Sequence, residues 1–185
     1  DPRDLWKWMA AYEEKTGGRL LAIPHNGNLS NGRMFPIIEP VSGGKLDKKS
    51  AQDRMKWERL YEATQTKGDS EAHPFLSPND EFAAFNRWDR SNLDGSVRKK
   101  QEMLEFEYAR SAYKNGLKLE AELGANPFKF GLVGSTDSHI GIPAIEERRA
   151  QAEAFMALPP GPRLGSLELD PGLEMPDYFR GVEWH

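Results

Sequence analysis

A chain of 185 residues fits one domain or a large part of one. With 38% hydrophobic and 29% charged residues it can bury a core, for which five Trp, nine Phe and five Tyr supply large apolar bodies. The 25 basic against 29 acidic residues (net −4) argue against a general nucleic-acid binder, and the absence of cysteine excludes disulfides, thiolate ligands and a cysteine nucleophile.

In chain order, Asp1-Pro2-Arg3-Asp4 opens a helix: Asp1 can cap it, Pro2 suits the first turn and Asp4 complements the dipole. Leu5, Trp6, Met9 and Tyr12 recur at helical spacing until Gly17-Gly18 stop the pattern. Residues 20–23 predict a short apolar strand closed by Pro24-His25. From 26 to 44 the Asn26-Gly27, Asn31-Gly32 and Gly43-Gly44 pairs punctuate a loop. A helix is expected over 48–59, a second strand over 60–66, a loop over 67–80 and a short helix over 80–88. A long helix is expected over 96–123, with Val97, Met103, Leu104, Ala109, Ala112, Tyr113, Leu117 and Leu119 as its apolar stripe and Gly124 as its stop. Its charged residues, Glu102, Glu105, Glu107 and Lys114, read as a solvated face. A third strand over 128–133 leads into Gly134-Ser135-Thr136-Asp137-Ser138-His139. A helix over 144–157 follows, and 158–185, with five prolines and four glycines, reads as an extended irregular arm. No apolar run reaches the roughly 18 residues of a membrane span.

Strands alternating with helices indicate an α/β protein with a parallel sheet or barrel. Three strand–helix units are too few to close a barrel of about eight strands. Residues 1–157 therefore read as the C-terminal portion of a β/α barrel, incomplete in this chain. The start at Asp1, inside a helix opening and without Met, reads as a fragment. A missing N-terminal segment or a second copy is the expected partner, and no compartment is indicated.

Chemistry-bearing residues sit after each strand, where α/β active sites gather. Asp137 and His139, two apart in an extended stretch, can project to one side and converge on one ion; Zn, Mn and Fe suit such ligands. The competing reading makes Asp137 a cap for the next helix and His139 a loop residue. Pro24 holds His25 in a set direction, as a ligand or as a turn histidine. Asn26 and Asn28 are either turn formers or groups that orient substrate or a ligand. In Lys67-Gly68-Asp69-Ser70-Glu71-Ala72-His73, Lys67 is a candidate for a substrate anion, and Glu71 and His73 for metal ligation or proton transfer. Glu62 reads as a ligand or as a barrel-interior residue. No Walker A loop, dinucleotide glycine motif, nucleophile elbow or H-E-x-x-H is present.

Ala22-Ile23-Pro24-His25-Asn26-Gly27-Asn28-Leu29-Ser30-Asn31-Gly32, Lys67-Gly68-Asp69-Ser70-Glu71-Ala72-His73-Pro74 and Gly134-Ser135-Thr136-Asp137-Ser138-His139 occur in that order. Over residues 5–141 or thereabouts the chain resembles an uncharacterised bacterial family, a domain of unknown function related to the PHP (polymerase and histidinol phosphatase) superfamily. The resemblance implies a distorted seven-stranded β/α barrel, two or three divalent metal ions, and hydrolysis of phosphoester-like bonds in a small-molecule substrate. The superfamily's closing D-x-H maps onto Asp137 and His139. Its mid-chain histidine precedes a proline, whereas here the order is Pro24-His25. Its opening H-x-H has no match and would lie upstream of Asp1, as would its mid-chain glutamate ligand. The expectation is a metal-dependent hydrolase with His25, Asp137 and His139 as ligands and Asp137, Glu71 and His73 in acid–base roles. Asn26, Asn28 and Lys67 would bind substrate. The rival is a non-catalytic binding or structural α/β domain without metals.

Overall fold

The computed structural model describes residues 1–39 and 43–137. Helix α1 spans Pro2–Thr16. The Asp1 carboxylate accepts the Arg3 N–H at 3.0 Å, and Gly17 takes a left-handed φ of 69° to close the other end. The helix buries Trp6 and Met9 against Trp57, with Leu20 and Ala22 alongside. Helix α2, Lys48–Trp57, is capped by Asp47, which accepts the Ser50 N–H at 2.7 Å.

Three strands follow: β1 Leu60–Gln65, β2 Gly68–Asp69 and β3 Gly131–Gly134, in the order β2-β1-β3. β1 and β3 run parallel, with Leu60 opposite Gly131 and an irregularity between Glu62 and Thr64. β2 folds back antiparallel through Thr66-Lys67, which pairs Gln65 with Gly68. The fold is thus mixed α/β, and its sheet is mixed where an all-parallel one was expected. A Thr-Lys turn lacks the Asn-Gly signature that marks a tight hairpin in sequence, so β2 was hidden in a presumed loop.

β1 alternates strictly, with Tyr61, Ala63 and Gln65 buried. Tyr61 joins Phe35, Ala109, Ala112, Leu119 and Phe128 in the main core. Phe35 meets Tyr61 edge-on (centroids 4.9 Å apart, planes at 69°) and Phe128 likewise (5.4 Å, 78°), the arrangement the ring quadrupoles favour. Helix α3, Ala109–Leu123, closes over this core and ends at Gly124.

Several elements differ from the sequence reading. Residues 20–24 are not a strand; they run beside the end of α2 and β1 on two hydrogen bonds, Ala22 N–H to Trp57 O and Glu62 N–H to Pro24 O. Residues 81–86 form turns, because the Asp80 side chain caps Phe82 N–H and Asn86 turns left-handed at φ 46°. The long helix over 96–123 is two pieces, a 3₁₀ helix Gln101–Phe106 and α3, broken where Tyr108 is extended (φ −109°, ψ 137°). There the N–H groups of Ala109 and Arg110 bond to the carbonyls of Ser70 and Glu71 instead of continuing a helix. Glu102, Glu105 and Lys114 are exposed as expected, but Glu107 at the break is completely buried. The expected helix over 144–157 and the arm over 158–185 lie outside the described residues.

Candidate functional site

Because β1 and β3 are parallel, their carboxyl ends open on the same side. β1 carries Glu62 and Gln65 there, the hairpin turn adds Lys67, and the chain leaving β3 adds Ser135 and Asp137. The Ser135 hydroxyl donates to Glu62 Oε1, and Gln65 Nε2 donates to Glu62 Oε2 at 2.8 Å. The Asp137 N–H reaches Ser135 Oγ at 3.4 Å. Lys67 Nζ contacts Asp137 Oδ2, and both side chains are close to nine-tenths buried. Burial pushes the Lys67 ammonium below its ordinary pKa, while the nearby Glu62 charge pulls it back up. Asp137 is held at φ 55°, a conformation unfavourable for a residue with a Cβ.

The Pro24 carbonyl, bonded to Glu62 N–H at 3.0 Å, leads directly into His25. His25 is exposed, with Nδ1 3.4 Å from Ile23 O. Asn26 follows in a left-handed turn (φ 57°), and its side-chain oxygen is buried with no hydrogen-bond partner among the described residues. The structure therefore brings Lys67 and Asp137 together beside Glu62, and ties the His25 segment to the same strand. His139 lies outside the described residues. Among those described, no three of His, Asp and Glu come close enough to share an ion. Two carboxylates beside one buried ammonium nevertheless define a place that favours positive charge, and carboxylate oxygens are ligand types for a divalent ion.

Asn28 is fully buried and acts as a hub. Its Nδ2 donates to Lys67 O (2.9 Å) and Trp88 O (2.7 Å), its Oδ1 accepts from Ser70 Oγ (2.8 Å), and its carbonyl accepts from Lys99 Nζ (2.8 Å). Every polar atom of its side chain is bonded to protein, so its part is to hold the Lys67 turn in place. Gly68 belongs to this arrangement: it sits at φ +107°, and a Cβ there would come 2.6 Å from both Asn28 Nδ2 and Trp88 Cβ.

Glu71 and His73 have partners of their own, away from the Lys67–Asp137 pair. Glu71 forms a half-exposed ion pair with Arg110, which also binds Asp80. His73 is buried; its Nδ1 accepts the Phe75 N–H at 3.1 Å and its Nε2 lies 2.6 Å from Asp89 Oδ2. An acceptor role for Nδ1 places the proton of the neutral ring on Nε2, which donates to Asp89. Arg87 clamps the same Asp89 oxygen through Nε (3.1 Å) and Nη2 (2.6 Å). Burial opposes charge on Asp89, but the hydrogen bonds from His73 and Arg87 outweigh it and hold the carboxyl down at about 2. Behind them Lys99 pairs with the buried Glu107, which also accepts Gly32 N–H at 2.9 Å.

Sequence reasoning missed Ser135, Arg87, Asp89 and Lys99. The only available signal was the basic density of Arg87-Trp88-Asp89-Arg90 and Arg98-Lys99-Lys100, twice within fourteen residues. No helix among the described residues is long and apolar enough to cross a membrane. Residues 1–160 match a protein family described as a protein of unknown function, DUF3604. No curated protein and no solved structure matches the chain.

Proposed function

The chain belongs to the DUF3604 family, whose function is unknown, and we propose that it forms part of a metal-dependent hydrolase of phosphoester-like bonds, with a PHP-like β/α barrel as the complete fold. The observation that carries this reading is the buried contact of Lys67 with Asp137 beside Glu62, at the carboxyl end of the parallel strands. Active sites of barrels and open α/β sheets form at that end. His25, Asp137 and His139 would hold the ion, with Glu62 as a further oxygen donor. A divalent ion bound there makes water acidic enough to supply hydroxide near neutral pH. Asp137 would accept a proton from that water. Lys67, released from Asp137, would face charge developing on the leaving oxygen. The unpartnered Asn26 oxygen is positioned to accept a hydrogen bond from a ligand or from substrate.

One observation favours a second reading, a non-catalytic binding domain. The Lys67 ammonium already satisfies Asp137, so the lysine can stand where a metal otherwise would. Metal content by mass spectrometry, beside turnover of an activated phosphoester such as p-nitrophenyl phosphate, separates the two. In the intact protein, Asp137→Asn and His139→Ala should each lower bound Zn, Mn or Fe and reduce turnover by more than the roughly 10–100-fold typical of a group behind the ligands. Glu105→Ala, on an exposed face, should change neither. If Asp137→Asn keeps its metal and turnover while its melting temperature falls, Asp137 is only a cap. If wild-type protein takes up no metal and hydrolyses nothing, the binding domain is the correct reading.

A further inference from the structure

A concavity of about 580 Å³ lies between the 87–90 segment and the start of the 3₁₀ helix; of the candidate site residues singled out in the sequence only His73 lines it, and none of those used in the proposed hydrolase site does. Five basic residues line it, Arg87, Arg90, Arg98, Lys99 and Lys100, against one lining carboxylate, Asp89, with Glu107 pairing Lys99 from behind. In a chain of net charge −4, such a concentration of positive charge in a concave site focuses a field that net charge conceals.

The cleft is built as well as charged. Phe75 N–H fixes the tautomer of buried His73, His73 fixes Asp89, and Asp89 grips the Nε–Nη2 edge of Arg87. The guanidinium is thus locked in plane, while its Nη1 has no partner among the described residues and the side chain remains 44% exposed. Lys99 is tied to Glu107 and Asn28, which stiffens the floor. Beside it Lys100 is exposed and has no carboxylate partner among the described residues. Phe75, 54% exposed, and Leu104 add apolar surface to the same walls. A pre-oriented arginine fork beside a free ammonium matches a tetrahedral oxyanion, and the adjoining phenyl ring matches an apolar body attached to it.

We propose that this cleft binds a phosphate- or sulfate-bearing small molecule, with Arg87 and Lys100 holding the oxyanion and Phe75 covering its organic part. His73 and Asp89 are positioning residues that act through Arg87. The site stands independently of the hydrolase reading, since it requires neither a metal ion nor Asp137.

Isothermal titration of the intact protein with phenyl phosphate, phenyl sulfate and benzoate tests it at low ionic strength. Phenyl phosphate or phenyl sulfate should bind more tightly than benzoate, and the stronger of the two identifies the oxyanion. Binding should weaken as salt is raised. Lys100→Ala should weaken the preferred ligand by about 10-fold, as expected for one charge-assisted hydrogen bond, with an unchanged melting temperature. Arg87→Ala should do the same or more, although it also uncovers Asp89. Lys7→Ala, on the outer face of α1, should have no effect. Equal affinity for benzoate, or wild-type binding by Lys100→Ala, would overturn the proposal. Loss of metal in Asp137→Asn with phenyl phosphate binding intact would leave this site standing whichever way the hydrolase reading falls.

Discussion

At the residue scale, the buried charges are arranged so that each has a partner, and the pairs differ in what they cost to break. Lys99 and Glu107 are both largely or wholly shielded from water, and burial raises the Glu107 carboxyl above its ordinary value against the opposing pull of Lys99. Lys99→Met should cost about 3–5 kcal/mol, because Glu107 would then be a buried charge without its counter-ion. Chemical denaturation measures this; a loss below 1 kcal/mol would mean that Glu107 simply protonates at little cost. Asp89 shows the opposite sign. Its folded value, about 2, lies below the ordinary 3.8, so its contribution is complete above pH 3.8 and is lost as pH falls toward 2. That contribution is on the order of 2 kcal/mol. Asp89→Asn should therefore be less stable than wild type at pH 6, and the gap should narrow between pH 4 and 2. Parallel acid-melting curves would contradict the Asp89 assignment.

At the scale of elements, the Lys67 turn carries most of the site's geometry. β2 is only two residues long, and the hairpin is held from outside by Asn28, by Ser70 N–H on Ala63 O, and by Asn86 Nδ2 on Gln65 O. Gly68→Ala would force a Cβ into Asn28 and Trp88 at a φ that alanine resists. A loss of about 1–3 kcal/mol for overpacking, with strain of similar size, is expected. The displaced turn should also weaken metal uptake if Lys67 and Asp137 share a site. A Gly68→Ala protein that melts like wild type would show that the hairpin can shift freely, and would remove the main support for a rigid strand-end site. The same logic explains why one long helix was expected where there are two pieces. The apolar spacing across residues 96–123 is helical, but Ser70 and Glu71 capture the first N–H groups of α3 and turn the chain at Tyr108.

At the scale of the molecule, a three-stranded sheet leaves an edge. Among the described residues β3 pairs only with β1, and Leu132 is 40% exposed on it. Natural proteins seldom leave such an edge open. The 185-residue chain should therefore associate with itself as concentration rises, and Leu132→Lys should shift sedimentation toward the monomer. A stable monomer at every concentration would count against the proposed barrel as the complete fold. The proposed barrel would cover this edge with further strands.

Much was legible in the sequence because it depends on neighbours along the chain. Asp1, Pro2 and Gly17 frame α1, the strand expected over 60–66 corresponds to β1, and Gly124 stops α3, since caps and left-handed glycine act over a few residues. Lys67 and Asp137 were each singled out by their place after a strand. That they meet could not be read, because the parallel pairing of β1 with β3 joins residues about seventy apart. Glu107 was assigned to a solvated face and is buried, because helical period says which residues share a face but not which ones a distant loop will cover. His73 was singled out, but its partners Asp89 and Arg87 were not. Their roles arise from one hydrogen-bonded chain, Phe75 N–H to His73 to Asp89 to Arg87, assembled across loops. Local rules govern where helices and strands begin and stop; the meeting of charges, and hence the chemistry, is decided only when long-range packing removes water from between them.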